Sequence, residues 1–216
     1  MKRNIVLTSI LIMAVLIALV TLLGAALASR AALVSSLSGD ADFAGVAASL
    51  NAQEALAVNT TTMYGNHRAY TAYVRYNELG NLVSDDLKNV TDETKSAQLT
   101  SEMNTDWALA VTVNDFFPAR YLNRDGNYDT EREMGESWAE AAMKKDVYPE
   151  PHFAAADALR SKASHLLTVI ILFIGAVWFF TLAQGLRHSV RYVLAAGGLG
   201  LTLLAAGLAV IEEVLR

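Results

Sequence analysis

The sequence predicts an all-α protein with three transmembrane helices and an antiparallel helical bundle inserted between the first and second spans. Three observations predict it. Long apolar runs stand near both ends of the 216 residues. A polar, acidic stretch separates the first run from the other two. That stretch is rich in Ala, Leu, Glu and Gln and shows no alternation of the strand kind.

Ile5 to Ala28 is the first run. It exceeds the roughly 20 apolar residues needed to cross a hydrocarbon core of about 30 Å. Lys2 and Arg3 precede it, and Ala26-Leu27-Ala28 has the small-residue spacing of a signal-peptidase site. The run is longer than the core of a cleaved signal, so residues 1–29 are expected to act as a retained signal anchor.

Residues 30–163 form the expected extracytoplasmic domain. Ser35 to Asp40 is expected to be a flexible junction. From Phe43 the chain reads as helix, with Leu50, Leu56, Met63, Tyr70, Val74 and Leu82 on a common stripe. Thr60-Thr61-Thr62 and Gly65 are poor helix formers, and one helix or two fit equally. A second helix is expected from Thr91, with Asp92 and Glu93 in its first turn, to about Phe117 before Pro118. Asn123 to Asn127 is a turn. Thr130 and Glu133 have capping-box spacing and place a third helix over about Glu131–Lys145. Pro151 in a first turn then opens a helix that runs into the second span.

Leu166 to Ala183 supplies that span within residues 164–184, with Trp178, Phe179 and Phe180 as expected interfacial aromatics. Residues 185–191 are a tight loop, and residues 192–216 hold the third span and a short outer tail. Lys2 and Arg3 fall on the same side as Arg187 and Arg191, which predicts a cytoplasmic N-terminus and loop in a multi-pass cell-membrane protein. Arg30 stands against this on the outer side.

Charge and composition narrow the function. Residues 31–163 carry twenty acidic and eleven basic side chains, a net of −9. An acidic domain is a poor partner for phosphates, so nucleic acid is not expected. The chain has no cysteine, which removes disulfides, thiolate metal sites and a Cys nucleophile. The spans contain no Asp, Glu, Lys or Arg, whereas ion and proton pathways are marked by such residues.

Few residues propose chemistry. Aligning Gly126 with the invariant glycine of an EF-hand loop puts Tyr121 and Arg132 at the first and last ligand positions, where acids are needed. A polar turn is the better reading. His67, His152, His165 and His188 show no i, i+4 ligand spacing, so no metal and no cofactor are expected. No Ser has an evident base, and the chain is not expected to be an enzyme. Asn59-Thr60-Thr61 and Asn89-Val90-Thr91 match the glycosylation sequon.

Two candidate interaction surfaces stand out instead. Tyr64, His67, Arg68, Tyr70, Tyr73, Arg75 and Tyr76 form an aromatic and basic row, a composition enriched at interface hot spots. The competing and favoured reading packs these rings against Trp107, Phe116 and Trp138. In the third span Gly198, Thr202 and Ala206 recur every four residues beside Ala196 and Gly200, a pattern that lets helices approach closely.

The stretch His67-Arg68-Ala69-Tyr70-Thr71-Ala72-Tyr73 to Leu79, with Phe153-Ala154-Ala155-Ala156 leading to Leu166, resembles uncharacterised prokaryotic three-span membrane proteins with a helical extracytoplasmic domain. The resemblance implies the architecture and no activity. The expected function is a non-enzymatic accessory or structural subunit surrounded by membrane lipid, with protein partners or a homo-oligomeric state. The alternative is an extracytoplasmic ligand sensor that signals through a partner.

Overall fold

The computed structural model describes residues 2–186 and 189–215. Arg187 and His188 of the expected loop, and Arg216, lie outside the described residues. Five α-helices follow in order: α1 Lys2–Leu87, α2 Glu93–Asn114, α3 Thr130–Lys144, α4 Glu150–Gly185 and α5 Ser189–Leu215. A short 3-10 turn covers Ala119–Tyr121. Among the described residues no strand forms, and the one bridge pairs Leu122 with Tyr128. Three of the helices, in α1, α4 and α5, contain windows long and apolar enough to cross a membrane.

The chain divides into two compact units, Met1–Ala47 with Pro149–Arg216, and Ala48–Tyr148. In the first, α1, α4 and α5 close around Val20, Val169, Phe173, Ala176, Phe180 and Ala205. A second apolar contact joins Ala31 and Val34 of α1 to Ala163 and Leu166 of α4. Phe180, expected at the interface with headgroups, is buried in this core, while Trp178 is exposed. Two residues along a helix turn by about 200°, so neighbours in this aromatic trio face different surroundings.

Ser35 to Asp40 is helical, not a flexible junction. Packing overrides the local signal. Val34 and Ser38 are buried, the Ser38 hydroxyl donates to the Ala156 carbonyl at 3.0 Å, and Asp42 pairs with Arg160 of α4. Gly45 admits the Phe153 ring: a Cβ there would stand 2.7 Å from the ring edge. A propensity cost near 1 kcal/mol for each helical glycine is offset by such contacts.

In the unit Ala48–Tyr148, α1 continues without a break through Thr60-Thr61-Thr62. The Thr61 hydroxyl turns back to the Ala57 carbonyl at 2.9 Å and so satisfies itself inside the helix. The stripe expected from sequence packs only in part: Tyr70 joins a buried aromatic cluster and Met63 and Val74 are half-buried, while Leu50, Leu56 and Leu82 are exposed. Packing instead uses small and polar positions: Ala48 is buried, and Gly80 admits the Trp107 indole of α2.

Asp92 caps α2, accepting from the backbone amides of Thr94 and Lys95. The helix ends at Asn114, a few residues before the proline expected to stop it. Asp129, not Thr130, caps α3 by accepting from the Arg132 amide at 2.9 Å. The expected capping box is absent: with Asp129 as N-cap the third helical residue is Arg132, and the Glu133 carboxylate bonds to Asn66 and Tyr128 instead. Pro151 lies in the first turn of α4, which then runs unbroken to Gly185.

Candidate functional site

The aromatic row on α1 divides by face. Tyr70 and Tyr73 point inward, and Phe117, Tyr121 and Tyr128 are the buried rings that receive them. Tyr70 stands 5.6 Å from both Phe117 and Tyr128 between centroids, edge-on to the first. Such ring pairs add roughly 0.5–1.5 kcal/mol beyond burial. His67 flanks the cluster, 6.2 Å from Tyr128. Tyr64, Arg68 and Arg75 face outward, and Tyr76 is half-buried. The expected packing partners were misplaced. Phe116 is exposed and Phe117 takes its place, Trp107 lies against Gly80, and Trp138 is half-buried on α3.

Glu133 is the chemical centre of this cluster and was not singled out in the sequence. It is 2% exposed. The Asn66 amide donates to its Oε1 at 2.5 Å, and the Tyr128 hydroxyl donates to its Oε2 at 2.9 Å. A buried carboxylate is tolerated only when its lone pairs find donors, and the first turns of α3 add the positive end of the helix dipole. Burial, then the hydrogen bond to Glu133, pushes the Tyr128 phenol well above its ordinary value. Beside it, Arg120 donates to the Tyr121 hydroxyl and lies 4.6 Å from that ring, which raises its already high value.

The turn after Tyr121 is built as a polar loop. Asn123 Oδ1 accepts from the amides of Asp125 and Asn127, and Gly126 adopts φ 82°. The Tyr70 hydroxyl donates to the Gly126 carbonyl at 3.1 Å, which ties the turn to α1.

A groove of about 250 Å³ runs between α1 and α3. Asn51, Glu54, Asn59, Ser137 and Lys144 are among its lining residues. Lys145 pairs with Glu54 and Lys144 with Glu140, each at 2.6 Å. The Lys144 ammonium donates to Glu140 and lowers that carboxyl below its ordinary value. The Asn59 Nδ2 is buried and makes no hydrogen bond. Of the two sequons, Asn59 therefore shields its acceptor atom, while Asn89 sits exposed in the turn after α1.

In the small-residue row of α5, Gly198 is buried, and a Cβ there would lie 2.9 Å from the Phe180 ring. Thr202 returns its hydroxyl to the Gly198 carbonyl at 2.8 Å, and Ala206 packs on the core at its edge. Gly200 has nothing within 4 Å of where its Cβ would be, and Ala196 is exposed in an apolar groove with Met13 and Phe180. The row thus separates into an inner edge against α4 and an outer edge, at Ala196 and Gly200, that is exposed among the described residues. Ala205, fully buried on α5, lies one position from the row.

At the far end of α5, Glu213 pairs with Arg30 at 2.9 Å and approaches Lys162 at 3.8 Å, and Glu212 faces His165 at 3.8 Å. Arg30, the basic residue that opposed the expected orientation, is thereby matched by the acidic tail. No protein-family model, curated protein or solved structure matches the chain.

Proposed function

We propose that the chain is a non-enzymatic accessory or structural subunit of a membrane protein assembly. In this reading the N-terminal part of α1 together with α4 and α5 crosses the cell membrane, with the N-terminus and the α4–α5 loop cytoplasmic. Residues 30–163 are extracytoplasmic and form a helical bundle inserted between the first and second spans. Lipid surrounds the spans, and partner proteins bind through the ectodomain and the outer small-residue edge of α5.

The observation that carries the reading is the outward apolar surface of the three candidate spans. Leu11, Ile12, Val15 and Leu19 of α1, Ile171, Ile174 and Trp178 of α4, and Leu203 and Leu204 of α5 are all exposed. A monomer in water rarely presents so large an apolar patch, and lipid or protein must cover it. Basic residues beside the first span and in the short loop support the orientation. Outside the spans, Tyr64, Arg68 and Arg75 offer hot-spot side chains that the internal packing leaves free.

The groove between α1 and α3 favours a second reading, a sensor whose small ligand satisfies the Asn59 amide and whose output passes through a partner. Purification from native membranes in a mild detergent, followed by native mass measurement, separates the two. An assembly heavier than the 23.3 kDa chain, with stoichiometric companions, is the expected result. A clean 23.3 kDa species would overturn the subunit reading and direct the search to ligands of the groove.

A further inference from the structure

We propose that α1 carries a self-association seam, in which the face marked by Gly39, Phe43, Val46, Leu50, Ala57 and Tyr64 docks in parallel on the same face of a second copy. The proposal deepens the assembly reading by naming one partner, and it rests on that reading for the parallel direction. Copies inserted in one membrane with one orientation run their first helices the same way.

The spacing is that of a coiled coil. Phe43, Leu50, Ala57 and Tyr64 are seven residues apart, and Gly39 and Val46 continue a second seven-residue series through Gln53 and Thr60. The two series are offset by three and four, the a and d positions of a heptad. α1 is helical through all of them. Within the unit Ala48–Tyr148 the packed positions of α1 recur in the same frame on the opposite side, at Ala48 and Ala69 and at Asn66 and Tyr73.

The face is open and self-matching. Phe43 is 76% exposed, Val46 58%, and Leu50 and Tyr64 66% each. With their smaller neighbours these exposures amount to roughly 700 Å² per copy, close to the ~800 Å² per partner of a stable interface. No charged residue occupies either series from Gly39 to Tyr64, although residues 31–163 carry a net −9. Two copies of so acidic a domain repel, and a charge-free strip is where they can meet. Gly39 has nothing within 4 Å of where its Cβ would stand, so its helix cost has no internal reason, and a glycine in a seam lets two backbones close. A two-fold axis along the seam sets each residue against its own copy, a match that a helix of another sequence lacks.

The absence of native cysteine makes the test direct. Leu50→Cys and Ala57→Cys single variants, oxidised with copper phenanthroline in membranes, are expected to run at twice 23.3 kDa on non-reducing gels. Val58→Cys and Thr62→Cys, exposed on the far side of α1, are expected to give severalfold less. Adding Leu50→Glu to Ala57→Cys is expected to abolish the doublet while circular dichroism shows the helix content unchanged. Equal cross-linking at all four positions, or none at 50 and 57, overturns the proposal. An adduct of different mass at 50 and 57 also overturns it, yet leaves the subunit reading standing with another protein on the face. Loss of the unmodified chain from the membrane fraction defeats both.

Discussion

Glu133 concentrates the chemistry of the unit Ala48–Tyr148 in one side chain. Its two oxygens accept from the half-buried Asn66 amide and from the buried Tyr128 hydroxyl. Replacing it by alanine leaves the buried Tyr128 hydroxyl without its acceptor and frees the half-buried Asn66 amide, so Glu133→Ala is expected to cost about 2–3 kcal/mol, read as a lowered melting temperature in detergent. Tyr128→Phe removes one donor and is expected to cost about 1–2 kcal/mol near pH 8. The same pair sets a pH dependence. The Tyr128 phenol titrates higher in the folded chain than its ordinary value of 10.0, so its contribution is complete below that value. It is lost as pH rises through the unfolded value toward the folded one. The gap between wild type and Tyr128→Phe should therefore narrow above about pH 10 in thermal melts. A gap that widens with pH would mean that the hydrogen bond strengthens on ionisation, against this assignment. None of this was legible in the sequence, where Glu133 sits at capping-box spacing from Thr130. The local pattern and the long-range partner Asn66 competed for one carboxylate, and only the fold decides such a contest.

At the scale of elements, helix type and order were legible, and helix faces were not. The apolar runs, the Asn123–Asn127 turn and Pro151 in the first turn of α4 emerge where periodicity and caps place them, while α2 begins at Glu93, two residues after the expected Thr91, because Asp92 caps it from outside. Three positions went otherwise: the Ser35–Asp40 junction, the partners of the tyrosines, and the stripe through Leu50 and Leu56. At the junction and along the stripe, small and polar residues of α1 such as Ser38, Ala48 and Asn66 take contact positions beside Val34, Tyr70 and Tyr73, and a hydrophobic pattern does not flag them. Small residues win where backbones must approach, and large apolar ones are left outside. The same logic separates two glycines of α5. Gly198→Leu should drive a side chain into Phe180 and lower the melting temperature markedly, since overpacking costs about 1–3 kcal/mol. Gly200→Ala meets open space and should be neutral or stabilising by up to about 1 kcal/mol from helix propensity. Equal effects at both positions would contradict the inner and outer edges assigned to this helix.

For the whole molecule, the three apolar windows and the acidic stretch between the first two carry the account. The three windows are long and apolar enough to cross a membrane, and the outward Leu, Ile and Val side chains of α1, α4 and α5 form the surface that lipid would cover in the proposed reading. The candidate interaction residues were only half legible. Tyr64, Arg68 and Arg75 are exposed, but Tyr70 and Tyr73 belong to the interior cluster. The central claim is that three helices cross the membrane and hold the two connections on opposite sides. Labelling intact cells with a membrane-impermeant maleimide tests it most directly, because the chain has no cysteine of its own. Asn89→Cys, exposed in the turn after α1, is expected to label in intact cells, and Leu186→Cys, exposed after α4, only after the cells are opened. Labelling of both positions in intact cells, or of Leu186→Cys alone, would contradict the topology and with it the reading of residues 30–163 as the partner-binding domain outside the cell.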